Sequence, residues 1–199
     1  MKHTLPCTID IDTHHIRDWF TAKVYKMLPE LTFVLGGAAS GKSLWAENLI
    51  LASGLAPVYV ATSRSFDDEI KMRIEVHKSR RSDRWINFEA AFDLHTTLAE
   101  RESTQAVLID CATMWLTNHL LEGHDIDAAQ GALMSAIDVC PAPLVIVSNE
   151  VGQGIVPDNA LARDFRERQG RLNIALAAKA DLAVQVVAGL PQVLKGTLP

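Results

Sequence analysis

The feature that most constrains this chain is a glycine-rich stretch, GGAASGKS at residues 36–43, which matches the pattern G-x-x-x-x-G-K-[ST]. Its three glycines let the backbone turn tightly and bring its N–H groups close to an anion. Lys42 is placed to reach the β- and γ-phosphates of a nucleotide, and the Ser43 hydroxyl is placed to bind Mg²⁺. The pattern therefore predicts a phosphate-binding loop that consists of Gly36, Gly37, Ala38, Ala39, Ser40, Gly41, Lys42 and Ser43.

The residues around the loop are those that such a loop requires. Residues 31–35 form a short apolar, β-prone run, and residues 42–53 carry apolar side chains among good helix formers. The order of strand, glycine loop and helix is typical of phosphate-binding loops, and the helix N-terminus adds its dipole to the anion site. This context favours a true phosphate-binding loop over a glycine-rich turn that matches by chance.

Strand-like and helix-like segments alternate along the rest of the chain. The continuous hydrophobicity of the predicted strands indicates burial on both faces, as in a parallel sheet. We therefore expect an α/β fold that is P-loop NTPase-like (RecA-like), with a doubly wound, mostly parallel sheet and helices on both faces. The predicted strands are 31–35, 57–61, 106–109, 144–147 and 182–187, with a short last strand around 192–194. The predicted helices are 42–53, 67–82, 91–100, 113–121, 128–139 and 160–179.

Composition excludes several classes of function. The chain has 199 residues, 48% of them hydrophobic, which suits a single domain with a full core. Its net charge of −5 argues against broad electrostatic attraction to nucleic acid or to an anionic membrane. No apolar run approaches the ~20 residues of a membrane span, and the N-terminus lacks a secretory signal. The three scattered cysteines, Cys7, Cys111 and Cys140, are typical of reduced thiols, so we expect a cytoplasmic protein.

Residues 1–30 stand apart from the predicted domain, which occupies residues 31–199. They precede the first strand of a predicted domain that is complete without them, and Met27 would be a natural first residue of the protein. We expect residues 1–30 to be an N-terminal extension, either poorly ordered or the result of a start assigned too far upstream.

A second constellation is a basic segment at residues 71–84. Its concentration of cations in an acidic protein points to an anionic partner, although charge runs are more often solvated helix faces. On a helix, His77 would share a face with Ile70 and Ile74, so we expect it to face the domain. Nearby cations disfavour its charged form, and a neutral imidazole is the state that a nucleophile needs. These residues alone leave open whether His77 is a core residue or a nucleophile. The cations are Lys71, Arg73, Lys78, Arg80, Arg81 and Arg84, six of the chain's 19.

Five stretches occur in the order found in one known family: GGAASGKS, YVATS, DDEIKMRIEVHKSRR, LIDCATMWLTN and SNEVGQGIVPDNALARDFRERQGRLNIALAAKAD. By these stretches the chain resembles the bifunctional adenosylcobinamide kinase/adenosylcobinamide-phosphate guanylyltransferases of cobalamin synthesis. The resemblance extends over residues 31–187, and the last stretch is the most specific because ordinary P-loop kinases lack it.

The resemblance implies two reactions on one fold. ATP or GTP, with Mg²⁺, phosphorylates the aminopropanol hydroxyl of adenosylcobinamide. GTP then transfers GMP to a histidine, and the phosphorylated corrinoid takes up the GMP to give adenosylcobinamide-GDP. The implied partners are therefore a small-molecule corrinoid and nucleoside triphosphates, with no nucleic acid and no membrane span. The resemblance also implies a homo-oligomer, specifically a trimer.

The same resemblance assigns the site. The family's guanylylated histidine follows R-I-x-x, and here Arg73-Ile74-Glu75-Val76 leads directly into His77. The resemblance implies that Glu89 and Asp110 contact the guanosine nucleotide. Asp110 also closes an apolar strand, so it equally suits a carboxylate that binds Mg²⁺, and the sequence leaves both roles of Asp110 open. With the phosphate-binding loop, the residues implied to line the nucleotide site are Ala61, Thr62, Ser63, Lys78, Ser79, Arg80, Arg81, Glu89 and Asp110.

Two other functions fit parts of the sequence. One is a single-function small-molecule kinase with this loop, in which His77 is structural and no protein–nucleotide adduct forms. The other is a nucleotide-dependent module that binds nucleic acid through residues 71–84. The acidic net charge and the lack of aromatic residues within that segment count against the second function.

Overall fold

The computed structural model describes residues 27–64 and 83–199, which form a seven-stranded sheet covered by helices. The strands are β1 (Leu31–Gly36), β2 (Ala56–Ala61), β3 (Ile86–Glu89), β4 (Gln105–Asp110), β5 (Leu144–Asn149), β6 (Leu182–Val187) and β7 (Leu190–Lys195). Their order across the sheet is β3-β2-β4-β5-β1-β6-β7, and β7 alone runs antiparallel to its neighbour. The carboxyl ends of the six parallel strands therefore meet along one edge.

Helices of the described residues cover both faces of this sheet. They are α1 (Lys42–Ala52), α2 (His95–Ala99), α3 (Ala112–Leu121), α4 (Ile126–Val139) and α5 (Ala160–Lys179). Because successive strand residues point to opposite faces, the core forms two clusters. Leu108 packs on the α1 side with Trp45 and Ile50, whereas Ile109 packs on the other side with Leu116 and Leu172. None of these helices combines the length and the apolar character needed to cross a bilayer.

The predicted fold class is confirmed. The sheet is parallel except for one edge strand, and the glycine-rich loop connects β1 to α1 as the sequence predicted. Five predicted strands appear within a residue or two of their expected bounds, and the tentative last strand corresponds to β7. Helix α5 has the bounds that its pattern predicted, because Asn159 caps it by accepting a hydrogen bond from the Ala162 N–H at 2.8 Å.

The predictions around residues 86–100 were partly wrong. Strand β3 was not predicted, because it is a largely exposed edge strand whose pairing with β2, rather than its own hydrophobicity, specifies it. The predicted helix over residues 91–100 is reduced to α2. The carbonyls of Ala91 and Phe92 accept hydrogen bonds from the side chains of Asn118 and Trp115, so α3 draws this backbone away from a helical path. Asp93 then accepts the His95 N–H at 2.8 Å, and the helix begins there.

Two further expectations fall wholly or mostly outside the described residues. These are the extension at residues 1–30, of which only residues 27–30 are described, and the helix over residues 67–82. Both remain predictions, as does the division of the chain at residue 31.

Candidate active site

The predicted phosphate-binding loop lies at the carboxyl edge of the sheet, between β1 and α1. A Cβ atom on Gly36 would lie 2.4 Å from the Ser40 hydroxyl oxygen and 2.8 Å from the Val186 carbonyl oxygen, so only glycine fits there. Gly41 caps α1 with a φ of 90°, a left-handed conformation that costs glycine nothing. The loop therefore brings its backbone to the N-terminus of α1, where free N–H groups and the helix dipole favour an anion.

A turn far along the chain supports this loop. The Gly189 N–H, between β6 and β7, donates to the Ser40 carbonyl at 2.8 Å, and a Cβ atom on Gly41 would lie 3.0 Å from the Gly189 Cα. No pattern in the sequence predicted this contact. Gly37, in contrast, has no atom within 4 Å of a Cβ position, so packing does not require glycine there.

Lys42 is held over the loop. Its Nζ donates to the Gly37 carbonyl at 3.1 Å, and its ammonium has two further N–H donors for a phosphate. Burial lowers the pKa of Lys42, while the neighbouring Cys111 and Asp110 oppose that shift. Burial, with the adjacent Asp110 carboxylate, raises the pKa of the Cys111 thiol to about 11. Cys111 is therefore a neutral thiol at pH 7 and is not poised as a nucleophile.

The residues predicted to bind Mg²⁺ fit a hard cation. Asp110 ends β4, two strands from β1, and its carboxylate lies close enough to Lys42 to act on that pKa. The Tyr59 hydroxyl donates to Asp110 Oδ2 at 3.1 Å and so orients the carboxylate. Ser43 follows Lys42 in the first turn of α1 and is only half-buried. A carboxylate and a hydroxyl beside a phosphate site are the oxygen ligands that Mg²⁺ prefers.

Thr62, one of the residues implied to line the nucleotide site, has its side chain in the interior of the protein. It is fully buried, and its hydroxyl donates to the Cys111 carbonyl at 2.7 Å and accepts from the Cys111 N–H at 2.8 Å. Its own carbonyl accepts from Asn118 Nδ2 at 2.7 Å. Thr62 therefore joins the end of β2 to the residue that follows Asp110, and it positions that carboxylate.

We expect Thr62→Val to lower the stability of the protein, since it leaves the N–H of Cys111 unpaired in the interior, whereas the Cys111 carbonyl still accepts from the Trp115 N–H at 3.1 Å. Each buried group that loses its partner costs about 1–3 kcal/mol. The measurement is the urea midpoint of unfolding, with Thr62→Ser as the matched control because it keeps the hydroxyl. Equal midpoints for the valine and serine variants would show that these hydrogen bonds do not stabilise the fold.

The other predicted nucleotide residues lie further along the same edge. Ala61 pairs in register with both Asp110 and Glu89, so the three residues stand at one level of the sheet. At about 4.8 Å per strand, Glu89 lies about 19 Å from the phosphate-binding loop and Asp110 about 10 Å. The structure therefore brings Asp110 close to the loop but not Glu89, which is exposed on the edge strand beside Ala61. Glu89 is too distant to contact the same phosphate as Lys42.

The remaining predicted site residues are His77, Lys78, Ser79, Arg80 and Arg81, which lie outside the described residues. Their roles stay predictions. Arg64, just before that segment, forms an ion pair with Glu122 at 2.5 Å, and its guanidinium lies 5.2 Å from the centre of the Phe92 ring.

Sequence analysis missed a buried polar network behind the loop. Gln169 donates to the Ser148 hydroxyl at 2.9 Å, and that hydroxyl donates to Asn173 Oδ1 at 2.7 Å. Asn149 is held on both sides, since its N–H donates to the Thr113 hydroxyl at 2.8 Å and its carbonyl accepts from Asn173 at 3.2 Å. Asn149 pairs in register with the first glycine of the loop. Gln169 and Asn173 are four residues apart and therefore lie on one face of α5. Two side-chain amides at this spacing are the sequence signal that could have revealed the network.

The chain is similar to known proteins over most of its length. The family model described as "Cobinamide kinase / cobinamide phosphate guanyltransferase" matches residues 32–194. A protein of Pseudomonas aeruginosa named "Bifunctional adenosylcobalamin biosynthesis protein CobP" is 41% identical over 166 residues, which are 82% of this chain and 96% of that protein. A protein of Salmonella typhimurium named "Bifunctional adenosylcobalamin biosynthesis protein CobU" is 42% identical over 178 residues, covering 80% of this chain and 97% of that protein.

Among solved structures, the flagellar accessory protein FlaH from Methanocaldococcus jannaschii matches with a TM-score of 0.49 and 12% identity, covering 95% of this chain and 87% of that chain. The fold assignment comes from the strand order and the loop of this chain.

Proposed function

This chain belongs to the cobinamide kinase/cobinamide phosphate guanyltransferase family, and we propose that His77 carries GMP between its two reactions. The protein is a kinase and a guanylyltransferase of adenosylcobalamin biosynthesis, with the corrinoid and nucleoside triphosphates as substrates. The observation that carries the proposal is the placement of three features along the carboxyl edge of the sheet: the phosphate-binding loop, Asp110, and the end of β2, which precedes the His77 segment in the chain.

In the kinase reaction, the hydroxyl of the corrinoid arm attacks the γ-phosphorus of a triphosphate held by the loop. The new bond joins that oxygen to the γ-phosphorus, the bond to the β-bridging oxygen breaks, and the nucleoside diphosphate leaves. Lys42 and the backbone N–H groups stabilise the charge that develops on the phosphate oxygens. Mg²⁺, held by Ser43 and Asp110, would neutralise charge on the β- and γ-oxygens.

In the guanylyl transfer, a ring nitrogen of His77 attacks the α-phosphorus of GTP and pyrophosphate leaves. A phosphate oxygen of the corrinoid then attacks the same phosphorus, the P–N bond breaks, and the histidine is released. Neutral imidazole is the attacking form, and Lys78, Arg80 and Arg81 disfavour its protonation while they attract the triphosphate. The match of Arg73-Ile74-Glu75-Val76-His77 to R-I-x-x-H supports this assignment.

The nucleotide extends along the sheet edge in this proposal. Its phosphates lie at the loop on β1, and its guanosine end lies toward β2 and β3, where Ala61, Ser63 and Glu89 stand. The separation of about 19 Å between β1 and β3 suits opposite ends of an extended nucleotide better than two contacts on one phosphate. Asp110, between them, takes the Mg²⁺ role rather than a guanosine contact.

The experiment that tests the proposal is incubation of the protein with α-labelled GTP and Mg²⁺, followed by mass mapping of the labelled peptide. We expect one GMP on the peptide that contains His77. Kinase activity without any adduct would instead support the single-function kinase, in which His77 is structural. A label on another residue would also contradict the assignment.

An assembly of identical subunits, specifically a trimer, belongs to this proposal because the resemblance implies it. A cytoplasmic location and an N-terminal extension outside the catalytic domain, both expected from the sequence itself, belong to it as well. The free thiols of Cys111 and Cys140 support a reducing compartment.

A further inference from the structure

A groove of about 470 Å³ lies between α5 and the loop that follows β5. Gly170 and Ile174 of α5 form its floor, and Gly152 and Val156 of the loop form its opposite wall. Ile174 is 72% exposed, and Ile155, beside the wall, is 97% exposed. Ile174 and Val156, which is 66% exposed, both line the groove and form an apolar surface that a ligand would cover.

Hydrogen bonds from two arginines hold the loop of this groove in place. Arg163 Nη1 donates to the carbonyls of Pro157 at 3.0 Å and Asp158 at 2.7 Å, and Arg166 Nη2 donates to the carbonyl of Gly152. These two guanidinium groups hold both ends of the loop against α5. They also bring positive charge to the rim of the groove, whose remaining lining is apolar apart from the Arg171–Glu167 ion pair.

One rim group points to a ligand. The Nη1 atom of Arg166 is buried and has no hydrogen-bond partner among the described residues. A buried guanidinium N–H normally has an acceptor, because leaving it unpaired is costly. Arg166 lines the groove, so a rotation of its side chain would present this N–H to a ligand oxygen from an amide or a phosphate.

The groove begins beside the phosphate-binding loop. The Glu150 N–H donates to the Gly36 carbonyl at 3.0 Å, and Gly152, which lines the groove, is two residues further along. Since consecutive Cα atoms are 3.8 Å apart, the Cα atoms of Gly152 and Glu150 lie within about 8 Å of each other. A molecule that lies in the groove can therefore extend an arm to the γ-phosphate.

We propose that this groove binds the macrocycle of the corrinoid substrate, an inference that rests on the proposed function. The broad hydrocarbon face of the macrocycle covers Ile174 and the flat floor at Gly170. Its peripheral amide oxygens, or the phosphate of the phosphorylated form, accept from Arg166. The aminopropanol arm then reaches past Gly152 to the phosphate-binding loop.

The test is a variant that fills the floor. A Cβ atom on Gly170 meets no atom within 4 Å, so Gly170→Leu leaves the fold intact and places a side chain inside the groove. Gly131 of α4 is equally exposed and equally free of neighbours at its Cβ position, and it does not line the groove. Gly131→Leu is therefore the matched control.

Binding of cobinamide is measured by equilibrium dialysis, without nucleotide, from the visible absorbance of the corrinoid. We expect Gly170→Leu to weaken cobinamide binding about tenfold or more, and Gly131→Leu to leave it unchanged. GTP labelling of both variants should equal that of the parent protein, because the groove takes no part in nucleotide binding. Ile174→Ser, at an exposed position, should weaken cobinamide binding by about threefold without a loss of stability.

Unchanged cobinamide binding in folded Gly170→Leu and Ile174→Ser would overturn the inference. A change of sedimentation with unchanged cobinamide binding would also overturn it and would identify the groove as an interface between copies of the chain. If the parent protein takes no label from GTP but the groove variants lose cobinamide binding, the proposal for His77 fails while this inference stands.

Discussion

A His77→Asn variant incubated with α-labelled GTP and Mg²⁺ should accumulate no labelled protein, although it still phosphorylates adenosylcobinamide. Asparagine keeps a polar side chain of similar reach but lacks the ring nitrogen that attacks the α-phosphorus. Guanylyl transfer to the corrinoid should therefore fall to the background of the assay. The kinase reaction should survive because direct transfer to a hydroxyl depends on positioning and charge rather than on a covalent carrier.

The measurements for this variant are the label retained on the protein and the rates of the two reactions, followed separately. His95→Asn is the matched control, since His95 is exposed on α2 and takes no part in the proposed site. The adduct on the parent protein should be labile in acid and stable in base, as a phosphoramidate is. Labelled GMP on the His77→Asn protein would show that another residue is the carrier.

A Lys42→Ala variant should lose both activities by about 10²–10³-fold, which corresponds to about 3–4 kcal/mol of transition-state stabilisation. Lys42 is half-buried over the loop and is anchored by its hydrogen bond to the Gly37 carbonyl, so water cannot fully replace its charge at the phosphate. The measurement is kcat for the kinase reaction together with the rate of GTP labelling.

Lys179→Ala is the control for the loss of a lysine, because Lys179 pairs with Asp138 at the far end of α5 and should affect neither reaction. Normal GTP labelling of Lys42→Ala, with the kinase reaction abolished, would contradict a shared loop. It would mean that the two reactions bind their triphosphates at different places along the sheet edge.

Local patterns predicted most of this fold because they act over short stretches of chain. The glycine-rich loop, the buried strands and α5 each carry their signal in consecutive residues: backbone conformation, continuous hydrophobicity, or a cap at Asn159. The resemblance to the family, later confirmed over residues 32–194, also came from stretches that the sequence alone displays.

Pairing and packing between distant segments decided the rest. Strand β3 is exposed and forms because β2 lies beside it, and the path of residues 91–94 follows from hydrogen bonds to α3. The hydroxyl of Thr62 forms hydrogen bonds with the backbone of Cys111, a contact that the sequence did not predict. No local pattern reports such contacts, because each depends on two segments that meet only after folding.

The sequence by itself determined the prediction that residues 36–43 bind a nucleotide's phosphates, since glycine, lysine and serine at those spacings serve little else. Only the tertiary structure decided how far each predicted residue lies from that phosphate. Strand order places Asp110 two strands from the loop and Glu89 four strands from it, and strand order is a property of the assembled sheet. The tertiary structure also decided that the Gly189 turn lies against the phosphate-binding loop and that residues 150–159 form a groove wall beside α5. Both contacts join segments that are remote along the chain.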